Sequence, residues 1–106
     1  MKVFISQPML NKSNEDIEAR REEVKQLVLK KYPNQKIKVV GFFKNCRHDD
    51  NPLWYLSRSL KVMSTCDIVI FAKGYNVARG CRIEHECAVA YGLNIEYEES
   101  LKNAKS

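Results

Sequence analysis

The sequence lacks the features that mark membrane, secreted and zinc-binding proteins. No run approaches the roughly 18 consecutive apolar residues of a bilayer-crossing helix. The first eight residues are too short and too polar for a signal peptide and are typical of a strand instead. The four cysteines include no Cys-x-x-Cys pair, and without a secretory signal we expect free thiols. We therefore expect a cytoplasmic protein with no membrane partner and no metal.

The sequence also lacks the dense basic stripe of a nucleic-acid-binding surface. It contains 18 basic and 13 acidic residues, a formal net charge of +5, and this mild excess suits an anionic small molecule. About half of the basic residues lie between Lys12 and Lys38 beside many acidic ones, so nucleic acid is not expected as a partner. Repeats, low-complexity tracts and linkers are absent, and 106 residues suit one domain spanning residues 1–106.

Four short apolar runs predict strands, and the segments between them predict helices. The strands are expected at residues 2–6, 37–43, 67–72 and 93–97. The third run is almost wholly apolar, which is typical of a strand buried on both faces of a parallel sheet. Strands that alternate with helices form right-handed crossovers. We therefore expect an α/β fold, a small flavodoxin- or Rossmann-like three-layer domain with a four-stranded, mainly parallel sheet in the order 2-1-3-4.

Capping residues and apolar spacing delimit three helices. Ser13 begins the first, with Asp16 three residues on as in a capping box, and Pro33 ends it. Pro52 begins the second, with Asn51 as its cap, and the third is expected from Cys81 to Tyr91. The apolar positions expected to face the core are Ile17, Val24, Leu27, Val28, Leu53, Leu56, Leu60, Met63, Ile83, Cys87 and Ala90. The tail beyond residue 97 is polar, and no further element is predicted there.

Ligands of such sheets bind beyond the carboxyl ends of the strands, where three loops are expected to meet. These loops comprise residues 6–9, 43–51 and 73–80. The candidate binding residues are Ser6, Gln7, Pro8, Met9, Tyr75, Asn76, Arg79, Gly80 and Cys81. Gly80 leaves room for a ligand to approach the backbone, and the free amides at the start of the third helix can cradle an anion such as a phosphate.

Glu84 is the strongest candidate for chemistry. We place it in the first turn of the third helix, where the positive end of the helix dipole favours an ionised carboxylate. A carboxylate nucleophile requires that charged form. A glutamate in a first turn is also a common stabilising device, so its position alone leaves both roles open.

The segment Glu84–Gly92 resembles the glutamate-led helix of nucleoside 2-deoxyribosyltransferases and of nucleoside monophosphate N-glycosidases. In these families a glutamate opens a helix of small residues. The small residues at the corresponding places are Ala88, Ala90 and Gly92. The preceding strand, Asp67–Ala72, and the opening loop, Ser6–Met9, are similar as well. Short bacterial and phage proteins of unassigned function share that loop and the segment Gly80–Glu86.

The resemblance implies N-glycosidic chemistry in a nucleoside 2-deoxyribosyltransferase-like domain. Glu84 would attack the anomeric carbon of a (deoxy)nucleoside or its monophosphate and form a glycosyl-enzyme intermediate, which water or a second base would release. The family has an aspartate on the preceding helix where Ser59 stands here, and a hydroxyl cannot act as a carboxylic acid near neutral pH. Asp67, Asp49 and Asp50 are the candidates to replace it.

The resemblance also bears on partners. Members of the family complete their pocket across a subunit interface, so a homo-oligomer is expected. Ala78 lies near the position where the family has a phosphate-contacting serine. Arg79 or Arg82 is therefore expected to hold the anion instead. No cofactor is implied.

Other interpretations stay open. The same fold could bind a nucleotide without turnover, which Ser59 favours and Glu84 opposes. A metal-binding or purely structural protein is the third possibility. The polar cluster Arg47–Asp50 suits a solvated loop as well as a metal site. A zinc site would need Cys81, His85 and Cys87 with Cys46 or His48, and their spacing matches no common zinc pattern. Trp54 and Tyr55 could stack on a base or simply pack.

Overall fold

Four parallel strands form a sheet in the order 2-1-3-4, numbered along the chain, which is the predicted order. The computed structural model describes residues 1–41 and 51–103. The strands are β1 (Lys2–Ser6), β2 (Lys38–Val40), β3 (Ile68–Phe71) and β4 (Ile95–Tyr97). β1 pairs with β2 and β3, and β3 pairs with β4, in parallel throughout. The alternation of these strands with helices makes the fold Rossmann- or flavodoxin-like.

Helices follow each strand. They are α1 (Asn14–Lys31), α2 (Pro52–Met63), α3 (Arg79–Ala90) and α4 (Glu98–Asn103). The predicted caps are present: Ser13 Oγ accepts the amide of Asp16 at 3.1 Å, and the side chain of Asn51 accepts the amide of Trp54 at 3.0 Å. After α3, Gly92 has a φ of 67°, which glycine adopts at little cost. Within the described ranges, no helix has both the length and the apolarity to cross a membrane.

The sheet separates two apolar cores, which gives the predicted three layers. The core on the α1 and α4 side contains Val3, Ile5, Val24, Val28, Ile68, Ile70, Ala72 and Leu101. The core on the α2 and α3 side contains Phe4, Met63, Val69, Phe71 and Ala88. Because successive residues of a strand point to opposite faces, Phe4 and Ser6 of β1 both face α2 and α3.

The polar tail contains a helix that the sequence does not predict. Leu101 of α4 is 6% exposed and belongs to the core on the α1 side, and Glu98 is completely buried. Six residues are too few to show a helical period of apolar positions. The position of α4 is therefore determined by the tertiary contacts of Leu101 and Glu98. No local sequence pattern indicates it.

The second strand is shorter than predicted because Gly41 leaves it. Its φ is 86°, and a Cβ at this position would lie 2.6 Å from the ring of Phe4. Both the backbone conformation and the close ring require glycine here. The sequence features that lie outside the described residues are the predicted strand end at Phe43, Cys46 and the Arg47–Asp50 cluster.

The buried side of α3 differs from the predicted one. α3 begins at Arg79, two residues earlier than expected, and its buried residues are Cys81, Glu84 and Ala88. Ile83 and Ala90, predicted to face inward, are exposed. The apolar pattern fails because Glu84 takes a position in the helix–sheet interface. On α2, Leu53 is also wrongly predicted, since 74% of its surface is exposed.

Candidate active site at the carboxyl edge of the sheet

The carboxyl ends of β1, β3 and β4 lie in register at one edge of the sheet. Ser6 pairs with Phe71, and Phe71 pairs with Tyr97. Ser6 is buried and turned toward α2 and α3. This is the edge at which parallel α/β sheets bind ligands, as the strand order predicts.

Glu84 extends from α3 to this edge and contacts Ser6. The Ser6 hydroxyl donates to Glu84 Oε1 at 2.6 Å, and the half-buried Ser59 of α2 lies near enough for its hydroxyl to act on the pKa of the same carboxyl group. The Cys81 thiol, one turn before Glu84, contacts the Ser6 hydroxyl. The structure therefore brings three predicted site residues together and adds Ser59, which the sequence identifies only as a missing carboxylate.

Glu84 is buried, and no described residue compensates its charge. Its side chain belongs to a residue that is 7% exposed, and within residues 1–41 and 51–103 it forms no ion pair. Burial raises the pKa of Glu84, and the hydrogen bond from Ser6 and the nearby Ser59 hydroxyl oppose that rise only in part. The carboxylate is thus held by neutral donors.

The helix dipole does not provide the expected stabilisation of the charge. Because α3 begins at Arg79, Glu84 is its sixth residue, and the first turn contains no acidic residue. The effect of the dipole falls off within the first turn of a helix. The prediction that Glu84 lies in the first turn is therefore wrong, and the hydrogen bond from Ser6 is what stabilises the carboxylate instead.

Cys81 is a partner of this cluster and not a nucleophile. Burial raises the pKa of its thiol to about 11, so the thiol stays protonated near neutral pH. The Ser6 hydroxyl has one hydrogen, which it donates to Glu84.

A second buried glutamate provides a comparison within the same molecule. Glu98 Oε1 accepts from Arg20 Nη2 at 2.6 Å and from the amide of Lys73 at 2.9 Å. Lys102 Nζ lies 3.0 Å from Oε2, without the geometry of a hydrogen bond. Burial alone would raise the pKa of Glu98, but the Lys73 amide and the two cations lower it. Its charge is compensated on the opposite face of the sheet from Glu84.

Asp67, the predicted second carboxylate, lies at the other end of β3. It is exposed, and its Oδ2 accepts the amide of Lys2 at 2.7 Å, at the start of β1. The length of the strand separates it from Glu84, so the structure does not bring the two together. None of the described carboxylates contributes to the electrostatics of Glu84. Asp49 and Asp50 lie outside the described residues.

In the loop after β1, the contacts of Gln7, Pro8 and Met9 mainly stabilise the fold. Gln7 is buried and donates from Nε2 to a backbone carbonyl of α1 at 3.1 Å. Pro8 lies against Gly74, where a Cβ would be 3.3 Å from the proline ring, and this contact joins the loops after β1 and β3. The carbonyl of Met9 accepts the amide of Lys12 at 3.2 Å. Neither the Gln7 nor the Met9 contact involves Glu84.

Tyr75 and Asn76 line a separate groove of about 610 Å³ along α3. The other residues of this groove are Arg82, Ile83, His85, Glu86, Val89 and Ala90. Ser6 and Glu84 do not line it, although Ile83 and His85 flank Glu84 in sequence. A larger groove of about 760 Å³ between α1 and β2 includes no predicted site residue.

An aromatic cluster that the sequence does not predict borders the α3 groove. The rings of Phe71, Tyr75, His85 and Tyr97 have centroids between 4.8 and 6.2 Å apart. His85 Nε2 and the Tyr97 hydroxyl are hydrogen-bonded at 2.7 Å. The four rings come from different segments of the chain. Only the register of β3 and β4, which pairs Phe71 with Tyr97, could have indicated the cluster. It fixes the position of Tyr75 at the groove.

The start of α3, where the sequence predicts an anion site, is exposed and has no side-chain cap. Ala78 provides no side-chain hydrogen bond to the first amides, and Arg79 and Gly80 are exposed. A Cβ at Gly80 would meet no atom within 4 Å. Gly80 therefore leaves space beside the helix amides, although its helical backbone does not require glycine.

The described residues contain no group of three potential metal ligands. The three residues of the zinc alternative point to different partners: Cys81 contacts Ser6, His85 binds Tyr97, and Cys87 packs against the core on the α2 and α3 side. Cys46 and His48 lie outside the described ranges.

Comparison with known proteins adds no assignment to this geometry. No protein-family model, curated protein or solved structure matches the chain. The chemistry of the site has to be inferred from its own side chains.

Proposed function

We propose that this protein cleaves or transfers the N-glycosidic bond of a (deoxy)nucleoside or its monophosphate, with Glu84 as the nucleophile. The supporting observation is the burial of Glu84 at the carboxyl edge with no charged partner among the described residues. Such burial costs stability, whereas Glu98 has cations that offset its charge. Perturbed groups of this kind concentrate at functional sites. The resemblance of the segment Glu84–Gly92 to nucleoside 2-deoxyribosyltransferases supplies the reaction class.

The proposed reaction has two steps. In the first, a carboxylate oxygen of Glu84 bonds to the anomeric carbon, the C–N bond breaks, and its electron pair leaves with the base, which takes a proton from water. In the second, water attacks the same carbon, releases the sugar and restores the carboxylate. A second base in place of water gives transfer. The Ser6 hydroxyl keeps Glu84 oriented between the steps.

Further features of the proposal concern the ligand and the assembly. Arg79, Arg82 and the uncapped amides of α3 are proposed to hold a phosphate when the ligand carries one. Tyr75 and Asn76 line the separate groove along α3, and they are proposed to bind the part of the ligand that extends from Glu84 into it. A homo-oligomer remains expected from the resemblance, because the family completes its pocket across subunits.

A nucleotide-binding module without turnover is the second candidate. The observation that favours it is the absence, among the described residues, of a second carboxylate next to Glu84. Asp67 is too remote to serve, and the hydroxyl of Ser59 is not an acid near neutral pH. In this alternative Glu84 accepts hydrogen bonds from ribose hydroxyls.

Incubation with a panel of deoxynucleosides and their monophosphates separates the two candidates. Chromatography measures the free base, and calorimetry measures binding. Glu84→Gln keeps a hydrogen-bond acceptor but is a poor nucleophile, so we expect base release to fall by orders of magnitude while binding is retained. The control is Glu99→Gln, an equal change of charge on the exposed side of α4.

Each outcome has a direct meaning. Base release by the parent and by Glu99→Gln, but not by Glu84→Gln, supports the enzyme. Binding without base release supports the module. Full base release by Glu84→Gln would exclude Glu84 as the nucleophile.

A further inference from the structure

Three segments at the carboxyl edge of the sheet carry positive charge and no acidic residue. They are the loop after β1 (residues 7–13), the start of α2 (51–58) and the loop and helix start after β3 (73–83). Their cationic side chains, which we call the basic rim, are all exposed: Lys12, Arg58, Lys73, Arg79 and Arg82. None of them forms an ion pair with another residue of the described ranges.

The fold brings these segments to one end of the molecule. β1 and β3 are neighbours that end at the same edge, and the contact of Pro8 with Gly74 joins the loops that follow them. α2 ends at Met63, and the turn after it leads directly into the start of β3. The other end of α2 therefore points to the carboxyl edge, beside α3, against which α2 packs.

Exposed apolar side chains occupy the same edge. Among the described residues, five of the seven large apolar side chains that are exposed belong to these three segments, namely Leu10, Leu53, Trp54, Val77 and Ile83. The Trp54 ring is 50% exposed, and the guanidinium of Arg58 lies 5.4 Å from its centroid. Proteins that bind single-stranded nucleic acids combine such features, because bases stack on exposed aromatic rings while cations follow the phosphates.

The mixed charges of the chain conceal this surface in the sequence. The expectation that nucleic acid is not a partner depends on the basic and acidic residues that alternate between Lys12 and Lys38. Most of these belong to α1, which packs on the opposite face of the sheet from α2 and α3. The acidic first turn of α1, with Glu15 and Asp16, limits the basic rim on that side.

We infer that the carboxyl edge binds a single-stranded polynucleotide, with the basic rim along its phosphates and Trp54 stacked on a base. The start of α3 suffices for the one phosphate of a mononucleotide, which leaves Lys12, Arg58 and Lys73 without an anion. A strand supplies further phosphates for these three cations. That the nucleotide attacked by Glu84 belongs to such a strand rests on the proposed function, whereas the binding of the strand does not.

The test is fluorescence anisotropy with a dye-labelled thymidine strand of about ten nucleotides, within the range of site sizes for such surfaces, over a series of salt concentrations. Five phosphate contacts predict a slope of about −3.5 for the logarithm of the association constant against the logarithm of the salt concentration. Arg58→Gln should weaken binding several-fold and reduce the slope by about 0.7. The matched control is Lys30→Gln, an exposed cation in the last turn of α1, which should change neither quantity.

The aromatic contact has its own pair of variants. Trp54→Ala should weaken binding about tenfold, the effect of losing one stacked base, without changing the salt slope. Tyr91→Ala removes an equally exposed aromatic ring at the other end of α3 and should leave binding as in the parent. Because all four side chains are exposed, we expect each variant to fold, and thermal unfolding checks this.

Competition experiments decide what the surface recognises. A mononucleotide, a nucleoside triphosphate and a duplex of the same length should each compete at least tenfold less well than the unlabelled strand. Equal competition by any of them, or equal binding by Arg58→Gln and Lys30→Gln, would overturn the inference. A parent that binds the strand but releases no base from any substrate leaves the inference standing and contradicts the proposed function. Base release from monophosphates without binding of the strand has the opposite meaning.

Discussion

Replacement of Glu98 by glutamine tests whether the compensated glutamate stabilises the fold. Glu98 is completely buried and joins Arg20 of α1, the amide of Lys73 and Lys102 of α4. Glu98→Gln keeps the size of the side chain and an oxygen for the Lys73 amide, but it removes the charge that both cations face. Arg20 retains a contact with Glu23 at 3.1 Å, so it is not left without any partner.

The magnitude follows from the exposure of the two cations. Loss of one partner from a fully buried ion pair costs about 3–5 kcal/mol. Here the side chains of Arg20 and Lys102 are 29% and 50% exposed, and water screens them in part. We therefore expect a loss of about 2 kcal/mol. For a domain of about 100 residues this lowers Tm by about 10 °C.

Urea unfolding, followed by circular dichroism and by the fluorescence of the single tryptophan, measures this loss. The pKa of Glu98 is lowered in the folded state, so its contribution is complete above the unfolded pKa of about 4.3 and is lost as the pH falls through the folded value. The difference between parent and variant should thus be full at neutral pH and shrink in acid. Glu99→Gln is the control. Equal stability of Glu98→Gln and parent at neutral pH, or a difference that does not change with pH, would refute the reasoning.

Three further substitutions test the packing and backbone conformation on which the site depends, and each is measured by urea unfolding. Gly80→Ala should raise the free energy of unfolding by up to about 1 kcal/mol, because alanine favours a helix and its Cβ meets no atom within 4 Å; a loss of stability would contradict this. Weaker phosphate binding in the same variant would show that the ligand uses the nearby amides. Gly41→Ala should lose more than about 1 kcal/mol, since its Cβ would lie 2.6 Å from the Phe4 ring at a φ of 86°, and unchanged stability would contradict that geometry. Leu101→Ala should lose about 2–3 kcal/mol, and a loss below about 1 kcal/mol would mean that α4 contributes little to the core.

The sheet could be predicted because its signals are local. The almost wholly apolar run that becomes β3 indicates burial on both faces, and the caps at Ser13 and Asn51 depend on side chains within three residues of the amides they bind. The end of β2 and the existence of α4 could not be predicted in this way. They depend on the Phe4 ring beside Gly41 and on the burial of Leu101, which are contacts between distant parts of the chain.

The buried side of α3 shows the limit of an apolar pattern. Such a pattern assumes that apolar residues face the core, yet Ile83 is 40% exposed and Glu84 is 7% exposed. Local rules fail most often where a polar group occupies a core position for a functional reason. The failure of the pattern on α3 is therefore consistent with the role proposed for Glu84, whereas α1, whose buried residues are all apolar, was predicted correctly.

The meaning of Ser59 depends on what else reaches Glu84, and this is a tertiary property. In the sequence, Ser59 is only a residue that differs from the aspartate of the resembled family. In the structure, Glu84 lies beyond the first turn of α3, so the helix dipole does not favour its charge, and no described cation replaces the dipole. A carboxylate at position 59 would then oppose the ionisation of Glu84, while a hydroxyl supports it. In the proposed reaction, a serine at position 59 would thus remove an acid and would also avoid a second negative charge beside Glu84.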